Sequence, residues 1–401
     1  MAFLVKKKKA FRCIIINSSA RISLIIFQGA SFMKFTVTRN ALLNELNLVQ
    51  GVIEKKSTIP ILSNILLEAA GEHIDIAATD LDVTIRCGCA ATVDSEGATT
   101  ISARRLFDIV RLLPDGVDIE FTLLENDWVE LRSGNSQYKI VALPKDNFPS
   151  IPEAAPATAM IPGALLRNMI QKTMFAITQE ESRYSLNGAL LALFPNEIRM
   201  VATDGHRLAM VTKNMEIPGI EAEVKALIPR KTLVEIQKLI GDQDVIIEFG
   251  RDENHLFFGA GNKRLVSRIL AGQFPNYELV VPRDNDKLIV ATTRALGDGI
   301  RRAAVMSDEK LKAIRLSFRS GALELTASCA EAGEAREVVP IEYEGESIDI
   351  GFNPHYLLDF IGACNADSVS ISIKDSETQG LLRPVATADL DYRYVVMPMK
   401  F

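Results

Sequence analysis

Ile101-Ser102-Ala103-Arg104-Arg105-Leu106-Phe107-Asp108-Ile109-Val110, closed by Pro114-Asp115-Gly116 and followed by Val117-Asp118-Ile119-Glu120-Phe121, decides how this chain is read. The stretch runs as a strand, a short amphipathic helix, a turn of helix breakers and an alternating strand. The same order returns at Ile228-Pro229-Arg230-Lys231-Thr232-Leu233-Val234-Glu235-Ile236, continued by Gly241-Asp242-Gln243-Asp244-Val245-Ile246-Ile247-Glu248-Phe249. A third copy is Ile350-Gly351-Phe352-Asn353-Pro354-His355-Tyr356-Leu357-Leu358-Asp359, continued by Asn365-Ala366-Asp367-Ser368-Val369-Ser370-Ile371. Thr79-Asp80 and Thr203-Asp204 keep the same step, as do Phe148-Pro149 and Phe274-Pro275. A period this long belongs to whole domains, not to solenoid repeats.

Working outward, each copy also opens with a helix. Leu42, Leu46, Val49 and Ile53 share one face, as do Leu165, Met169 and Ile170, and then Leu296 and Ile300. The remaining strands alternate with period two (Ile74, Ile76, Ala78; Leu323, Leu325), which suits antiparallel sheets with one face on a helix layer. The expectation is an α+β chain of three similar domains, each with antiparallel sheets and two helices and each containing a βαβ-type piece. Breaker clusters set the domains at 33–152, 153–277 and 278–401. Residues 1–32 stand outside the repeats as an N-terminal extension, expected to be disordered. Its Lys6-Lys7-Lys8-Lys9 and Ile14-Ile15-Ile16 are interrupted by Arg12, Asn17 and Arg21, so it reads as an appended or mis-started segment instead of a secretion signal or membrane span.

The chain has 401 residues, 48% of them hydrophobic, and a formal net charge of -6, which excludes a uniformly basic DNA-coating protein. Charge is nonetheless divided by element. Residues 104–113 carry three Arg and one Asp, 230–240 three bases and one Glu, 163–178 Arg167 and Lys172 without an acid, and 294–304 three Arg against Asp298. Helices 39–56 and 353–365 are near neutral. Any one basic helix face reads as solvated surface; four in repeated domains point to a basic lining that attracts phosphates without reading bases. The five cysteines (13, 87, 89, 329, 364) suit a reducing cytoplasm. Cys87 and Cys89 alternate on one strand face without a second ligand pair, so they read as core residues and no metal is expected.

Motifs that carry chemistry are missing: there is no P-loop, no zinc-binding His-Glu-x-x-His and no Gly-x-Ser-x-Gly elbow. Ser307-Asp308-Glu309-Lys310 matches Ser-x-x-Lys without its companion motifs and reads as a polar turn. Thr203-Asp204-Gly205-His206-Arg207 is the most suggestive polar cluster, because Asp204 could orient His206 as a general base. A hydrolase built on that pair is one alternative, and a monomeric scaffold made of the three repeated domains is another. With no nucleophile in sight, a binding turn fits the cluster better than catalysis.

Ala202-Thr203-Asp204-Gly205-His206-Arg207-Leu208-Ala209, Arg183-Tyr184-Ser185-Leu186-Asn187-Gly188, Met33-Lys34-Phe35-Thr36-Val37 and Tyr394-Val395-Val396-Met397-Pro398-Met399 together resemble the bacterial beta sliding clamps, the beta subunit family of DNA polymerase III. The resemblance covers residues 33–401. It implies the DNA clamp fold, a ring made by a head-to-tail homodimer around duplex DNA held without sequence preference, no cofactor and no catalysis. The implied partners are the replicative polymerase alpha subunit, the clamp loader, and other clamp-binding polymerases and repair proteins. It also implies a peptide pocket at Leu186, Thr203, Gly205, His206, Arg207, Leu208, Pro275, Val280, Leu311, Asn353, Tyr356, Val395, Val396, Met397, Pro398 and Met399. The resemblance further implies DNA contacts at Lys56, Arg104, Tyr184 and Arg230, and a ring joint that includes Arg105, Tyr138, Ile140, Val305 and Met306. Ser185, Leu279 and Lys400-Phe401 depart from the best-known pattern, which leaves the pocket rim open, as does the stretch 378–382.

Overall fold

The structure, a computed structural model, describes residues 4–7, 10–13, 33–53, 59–180, 182–241, 244–308, 312–330, 333–386 and 389–400. Its contacts divide it into two compact units, Met1–Pro152 and Glu153–Phe401. In the extension, strands Leu4–Lys7 and Ala10–Cys13 pair antiparallel as a separate hairpin, and its other residues lie outside those described.

In the first unit, helix α1 (Arg39–Val49) starts where Thr38 Oγ1 accepts a hydrogen bond from Ala41 N, satisfying one open donor of the first turn. Leu42, Leu46 and Val49 are buried against the sheet as their spacing predicts, whereas Ile53 lies beyond the helix end and is half-buried. Helix α2 (Ala103–Leu112) buries Leu106 and Val110. Arg39 joins the two helices. Its guanidinium donates to Val110 O (3.1 Å) and Arg111 O (2.9 Å) and pairs with Asp115 (2.6 Å), placing a cation on the open carbonyls at the end of α2. Strands run in the order Val83–Ala90, His73–Thr79, Asn64–Ala70, Gly97–Ser102, Ser136–Leu143, Trp128–Ser133, Asp118–Leu124, Lys34–Thr38, Thr92–Ser95. Phe35 and Phe121 stack across the Lys34–Thr38 and Asp118–Leu124 pair at 4.7 Å. Cys87 is buried, but Cys89, expected to share that core, is only partly covered, and burial pushes its thiol pKa up to about 11.

The second unit carries helices α3 (Gly163–Thr173), α4 (Arg230–Ile240), α5 (Thr293–Ala304) and α6 (Pro354–Cys364). Strands Ala159–Pro162, Ile246–Arg251, His255–Ala260 and Lys263–Arg268 are consecutive neighbours, and a further four-stranded sheet runs Gly333–Pro340, Ala322–Cys329, Ile314–Arg319, Ile348–Phe352. Between the second and third repeats runs one eight-stranded sheet: Val224–Pro229, Gly188–Phe194, Glu197–Thr203, Arg207–Asn214, Asp391–Val396, Gly380–Pro384, Ser368–Ile373, Lys287–Thr292. Its central pairing, Arg207↔Val396 to Thr212↔Asp391, fuses the two repeats.

Three sequence expectations need correction here. The βαβ-type pieces are not parallel crossovers: the strands flanking α2 do not pair with each other, and those flanking α4 and α6 belong to different sheets, so these helices carry the chain from one set of strands to another. On α3 the core residue is Leu166, and Leu165 is half-buried at its side. Lys172, counted above as surface charge, is 6% exposed. Its ammonium donates to Ala363 O (3.0 Å) and Cys364 O (3.2 Å) at the end of α6 and lies over the Tyr392 ring at 5.0 Å. Tyr392 OH donates back to Lys172 O at 2.8 Å. Burial lowers the Lys172 pKa, and the residue ties the second repeat to the third.

Candidate functional site

The polar cluster at 203–207 is a turn held by its own side chains. Asp204 Oδ1 accepts from His206 N (2.9 Å) and Arg207 N (3.0 Å), while Thr203 Oγ1 donates to Arg207 O (2.6 Å) and accepts from Gly205 N (3.1 Å). Gly205 sits at φ +90°, a conformation that other residues adopt only with strain. The second Asp204 oxygen receives Arg207 Nε at 3.1 Å, so the carboxylate serves the turn and the arginine, and the His206 side chain stands exposed. That arrangement removes the orienting acid that a hydrolase on Asp204 and His206 requires. Among the described residues, no cluster of His, Cys, Asp and Glu could hold a metal ion.

Arg207 anchors this turn to the third repeat. Nη1 donates to Asp359 on α6 at 2.5 Å, Nη2 donates to Phe175 O at 2.7 Å, and the guanidinium lies 4.3 Å from the centre of the Tyr356 ring. Burial opposes its charge, but Tyr394, Asp359 and Asp204 outweigh that and raise its pKa. Beyond the turn, Leu208 and Val395 are opposed across the central strand pair, and Met397 N donates to His206 O at 2.9 Å, so the C-terminal strand is seated against the turn.

A strap completes the site. Residues Tyr277–Leu279 form a 3-10 turn, and Tyr277 packs with Leu190, Val201, Leu208, Met210 and Val395, flanked by Phe274, Val280 and Val281. Gln379 Nε2 donates to Val280 O at 3.2 Å, and Asn285 Nδ2 donates to Ser372 O and Gln379 O, which fixes the strap on the third repeat. Turn, strap and terminal strand enclose a cavity of about 110 Å³ lined by Leu186, Thr203, Gly205, His206, Arg207, Leu208, Pro275, Tyr277, Val280, Val395 and Met397. Its scale suits one or two apolar side chains, not a cofactor.

The structure therefore brings together ten of the residues expected at the pocket, and adds Tyr277, which sequence reasoning missed. Its signal was present: an aromatic two residues after Phe274-Pro275, inside the breaker cluster already taken as a joint. Five other expected residues do not line the cavity. Val396 alternates to the opposite face and is buried in the core, and Asn353 caps α6 by accepting from His355 N. Tyr356 backs the pocket through Arg207, while Pro398 and Met399 continue past it, Met399 N donating to Gly351 O. Leu311 and Lys56 lie outside the described residues.

Of the expected DNA contacts, Arg104 on α2 and Tyr184 are exposed, whereas Arg230 is half-buried and spends Nη1 on Met174 O at 3.0 Å. At the expected ring joint, Arg105 is exposed and Val305 is 75% exposed at the end of α5; Tyr138 and Met306 are half-buried. Ile140 pairs with Val129 across its hairpin and, at 4% exposed, is buried within the first unit.

Comparison with known proteins gives the same picture. Profiles described as DNA polymerase III beta subunit, N-terminal, central and C-terminal domain match residues 33–152, 160–276 and 278–400. The beta sliding clamp of Pseudomonas putida is 36% identical over 370 residues, covering 92% of this chain and 100% of that one. A crystal structure of the DNA polymerase III subunit beta from Pseudomonas aeruginosa, 36% identical, covers 92% of this chain and 100% of its own with a TM-score of 0.87. Another, of a Pseudomonas aeruginosa sliding clamp bound to griselimycin, reaches 0.88 at 36% identity and the same coverage. With three repeats of antiparallel sheets carrying two helices each and these matches along 33–400, the chain belongs to the DNA polymerase III beta subunit family, the beta sliding clamps.

Proposed function

We propose that this sliding clamp works without catalysis, as a head-to-tail homodimer whose ring encircles duplex DNA without sequence preference, and that the cavity beside the 203–207 turn docks peptide segments of its partners. The domains would be 33–152, 153–277 and 278–401. The partners would be the replicative polymerase alpha subunit, the clamp loader, and clamp-binding polymerases and repair proteins in the cytoplasm. Among the described residues no helix is long and apolar enough to cross a membrane. What carries the reading is the cavity itself: an apolar site where two repeats are fused, walled by a turn, a strap and a terminal strand, in a member of the sliding clamp family. Met397 adapts to different apolar anchors, so one site can serve Leu- and Phe-containing segments of several partners, which then compete.

The test is deletion of residues 397–401. It removes the Met397 wall and its bond to His206 O, and leaves Arg105, Tyr138, Val305 and Met306 untouched. The expected result is a loss of polymerase-peptide affinity of at least about tenfold, or 1.4 kcal/mol, with dimer mass unchanged in light scattering and the loaded protein still retained on circular but not linear DNA. Wild-type peptide affinity in the deletion, or equal retention on both DNA forms, overturns the reading.

A further inference from the structure

Tyr277 is held from behind. The strap crosses the face of the eight-stranded sheet, with the apolar cavity on one side and, on the other, a polar groove of about 1190 Å³ whose lining includes Glu197, Arg199, Lys213 and Glu278. Tyr277 lines the cavity and not the groove; Arg199 lines the groove and not the cavity. Between them, Arg199 Nη1 donates to Tyr277 OH at 2.9 Å. The same guanidinium lies 5.8 Å from the Tyr277 ring centre and 5.6 Å from that of Phe194, and it is fixed by Glu278 (3.0 Å) and Glu197 (2.7 Å). Its side chain is only 18% exposed, so it is a packed strut and not a surface charge. Arg199 stands two residues before Val201 on one strand face, and Val201 belongs to the cluster under the cavity.

We propose that Arg199 is a positioning residue that sets the specificity of the peptide pocket: by holding the Tyr277 hydroxyl on the groove side, it presents only the ring to the cavity. The proposal rests on the peptide-docking reading of that cavity. A buried phenol needs a hydrogen-bond partner, and a guanidinium supplies a charge-assisted one. With that partner outside the cavity, the wall facing a docked side chain is carbon. Without it, the hydroxyl is no longer fixed on the groove side and is free to turn toward the cavity, and the strap loses one of its anchors, Gln379 and Asn285 remaining. A wall that offers a hydroxyl discriminates less against polar anchors than an apolar one does.

The experiment is a double-mutant cycle read by fluorescence anisotropy with two labelled synthetic peptides, one anchored by Leu and one in which Asn replaces that Leu. Each is titrated against wild type, Arg199→Ala, Tyr277→Phe, the double variant and Arg199→Lys, with melting curves alongside. Arg199→Ala is expected to weaken the Leu peptide on the order of tenfold, or about 1.4 kcal/mol, and to shrink the Leu-over-Asn preference. Tyr277→Phe should keep that preference, because the ring remains and no hydroxyl is left to place. In the Tyr277→Phe background, Arg199→Ala should cost less than about twofold, and Arg199→Lys should recover most of the affinity because an ammonium also donates to the phenol. Equal losses with and without the hydroxyl, or a preference unchanged in Arg199→Ala, overturn the role of Arg199. Absence of wild-type binding to the Leu peptide overturns the docking reading and this inference with it, so the two failures are separable. If Arg199→Ala does not fold, the Lys and Phe variants carry the cycle: a preference lost in Tyr277→Phe refutes the proposal directly.

Discussion

Arg207→Ala is the perturbation that tests whether the 203–207 turn is anchored to the third repeat. It removes Nη1 to Asp359 (2.5 Å), Nε to Asp204 (3.1 Å), Nη2 to Phe175 O (2.7 Å) and the face of Tyr356 at 4.3 Å. Hydrogen bonds to a charged group contribute about 1.5–3 kcal/mol each, but these do not add. Asp359 is 44% exposed and returns to water, so its share is small. Asp204 is 14% exposed and stays partly engaged by the turn amides, and the Phe175 carbonyl loses its donor. Because the arginine side chain is itself only 9% exposed, a net loss of about 3 kcal/mol is expected, at the lower end for breaking a buried pair. At about 2–4 °C per kcal/mol for a body of this size, the melting temperature should fall by about 6–12 °C in calorimetry, and peptide affinity with it. Arg207→Lys should recover less than half, since one ammonium cannot meet three acceptors in a fork geometry. If Arg207→Ala melts within about 2 °C of wild type, the anchoring argument is wrong.

Gly205→Ala forces a side chain onto φ +90° with its Cβ 3.1 Å from Arg183 Nη1, so it should cost about 1 kcal/mol or more in denaturant unfolding. At the matching position of the first repeat, Leu81 holds φ +80° while 47% exposed, so Leu81→Gly should not destabilise, the relieved strain of about 1–2 kcal/mol offsetting the added chain entropy. Burial raises the pKa of both Tyr392 and Tyr394 above 10. The folded chain therefore keeps protons that the unfolded chain releases, and the stability they contribute is complete below pH 10 and lost as pH rises beyond it. The double variant Tyr392→Phe, Tyr394→Phe should show a flatter alkaline limb between pH 10 and 11.5 than wild type, measured as unfolding midpoint against pH.

The helices and the repeat were legible because burial imposes a period on the sequence: Leu42, Leu46 and Val49 are on the inner face where spacing puts them. Sheet membership was not legible. Nothing in Val245-Ile246-Ile247 states whether the strand after α4 pairs with the strand before it, because strand pairing is a long-range choice that a local alternation does not encode. Lys172 was misread for a related reason. Helical position gives the face of a residue, but whether that face meets solvent or the end of another helix depends on α6, almost two hundred residues further along the chain. Leu165 and Leu166 could not be ranked by spacing alone, since both fall within the apolar arc.

The two homologous turns show what the repeat explains and what it does not. In the first repeat, Asp80 Oδ1 accepts from Asp82 N (3.0 Å) and Val83 N (2.6 Å), and Thr79 Oγ1 donates to Val83 O and accepts from Leu81 N. In the second, the same bonds join Thr203, Asp204, Gly205, His206 and Arg207. Thr-Asp is thus a folding device, present in both copies for the same backbone reason, and its proximity to a histidine carries no catalytic meaning. The third, fourth and fifth positions differ, and the fifth is the one that reaches the next repeat. Val83 is 2% exposed core, whereas Arg207 reaches Asp359 and Tyr356 in the next repeat. An arginine there turns a common hairpin tip into a joint, and the joint is what leaves an apolar cavity between turn, strap and terminal strand. Sequence alone marked the shared motif as the suggestive cluster. The fifth residue is the one that ties the turn to the next repeat, and with the Arg207 anchor replaced by valine, as in the first repeat, the 203–207 turn should still form while its grip on α6 is lost.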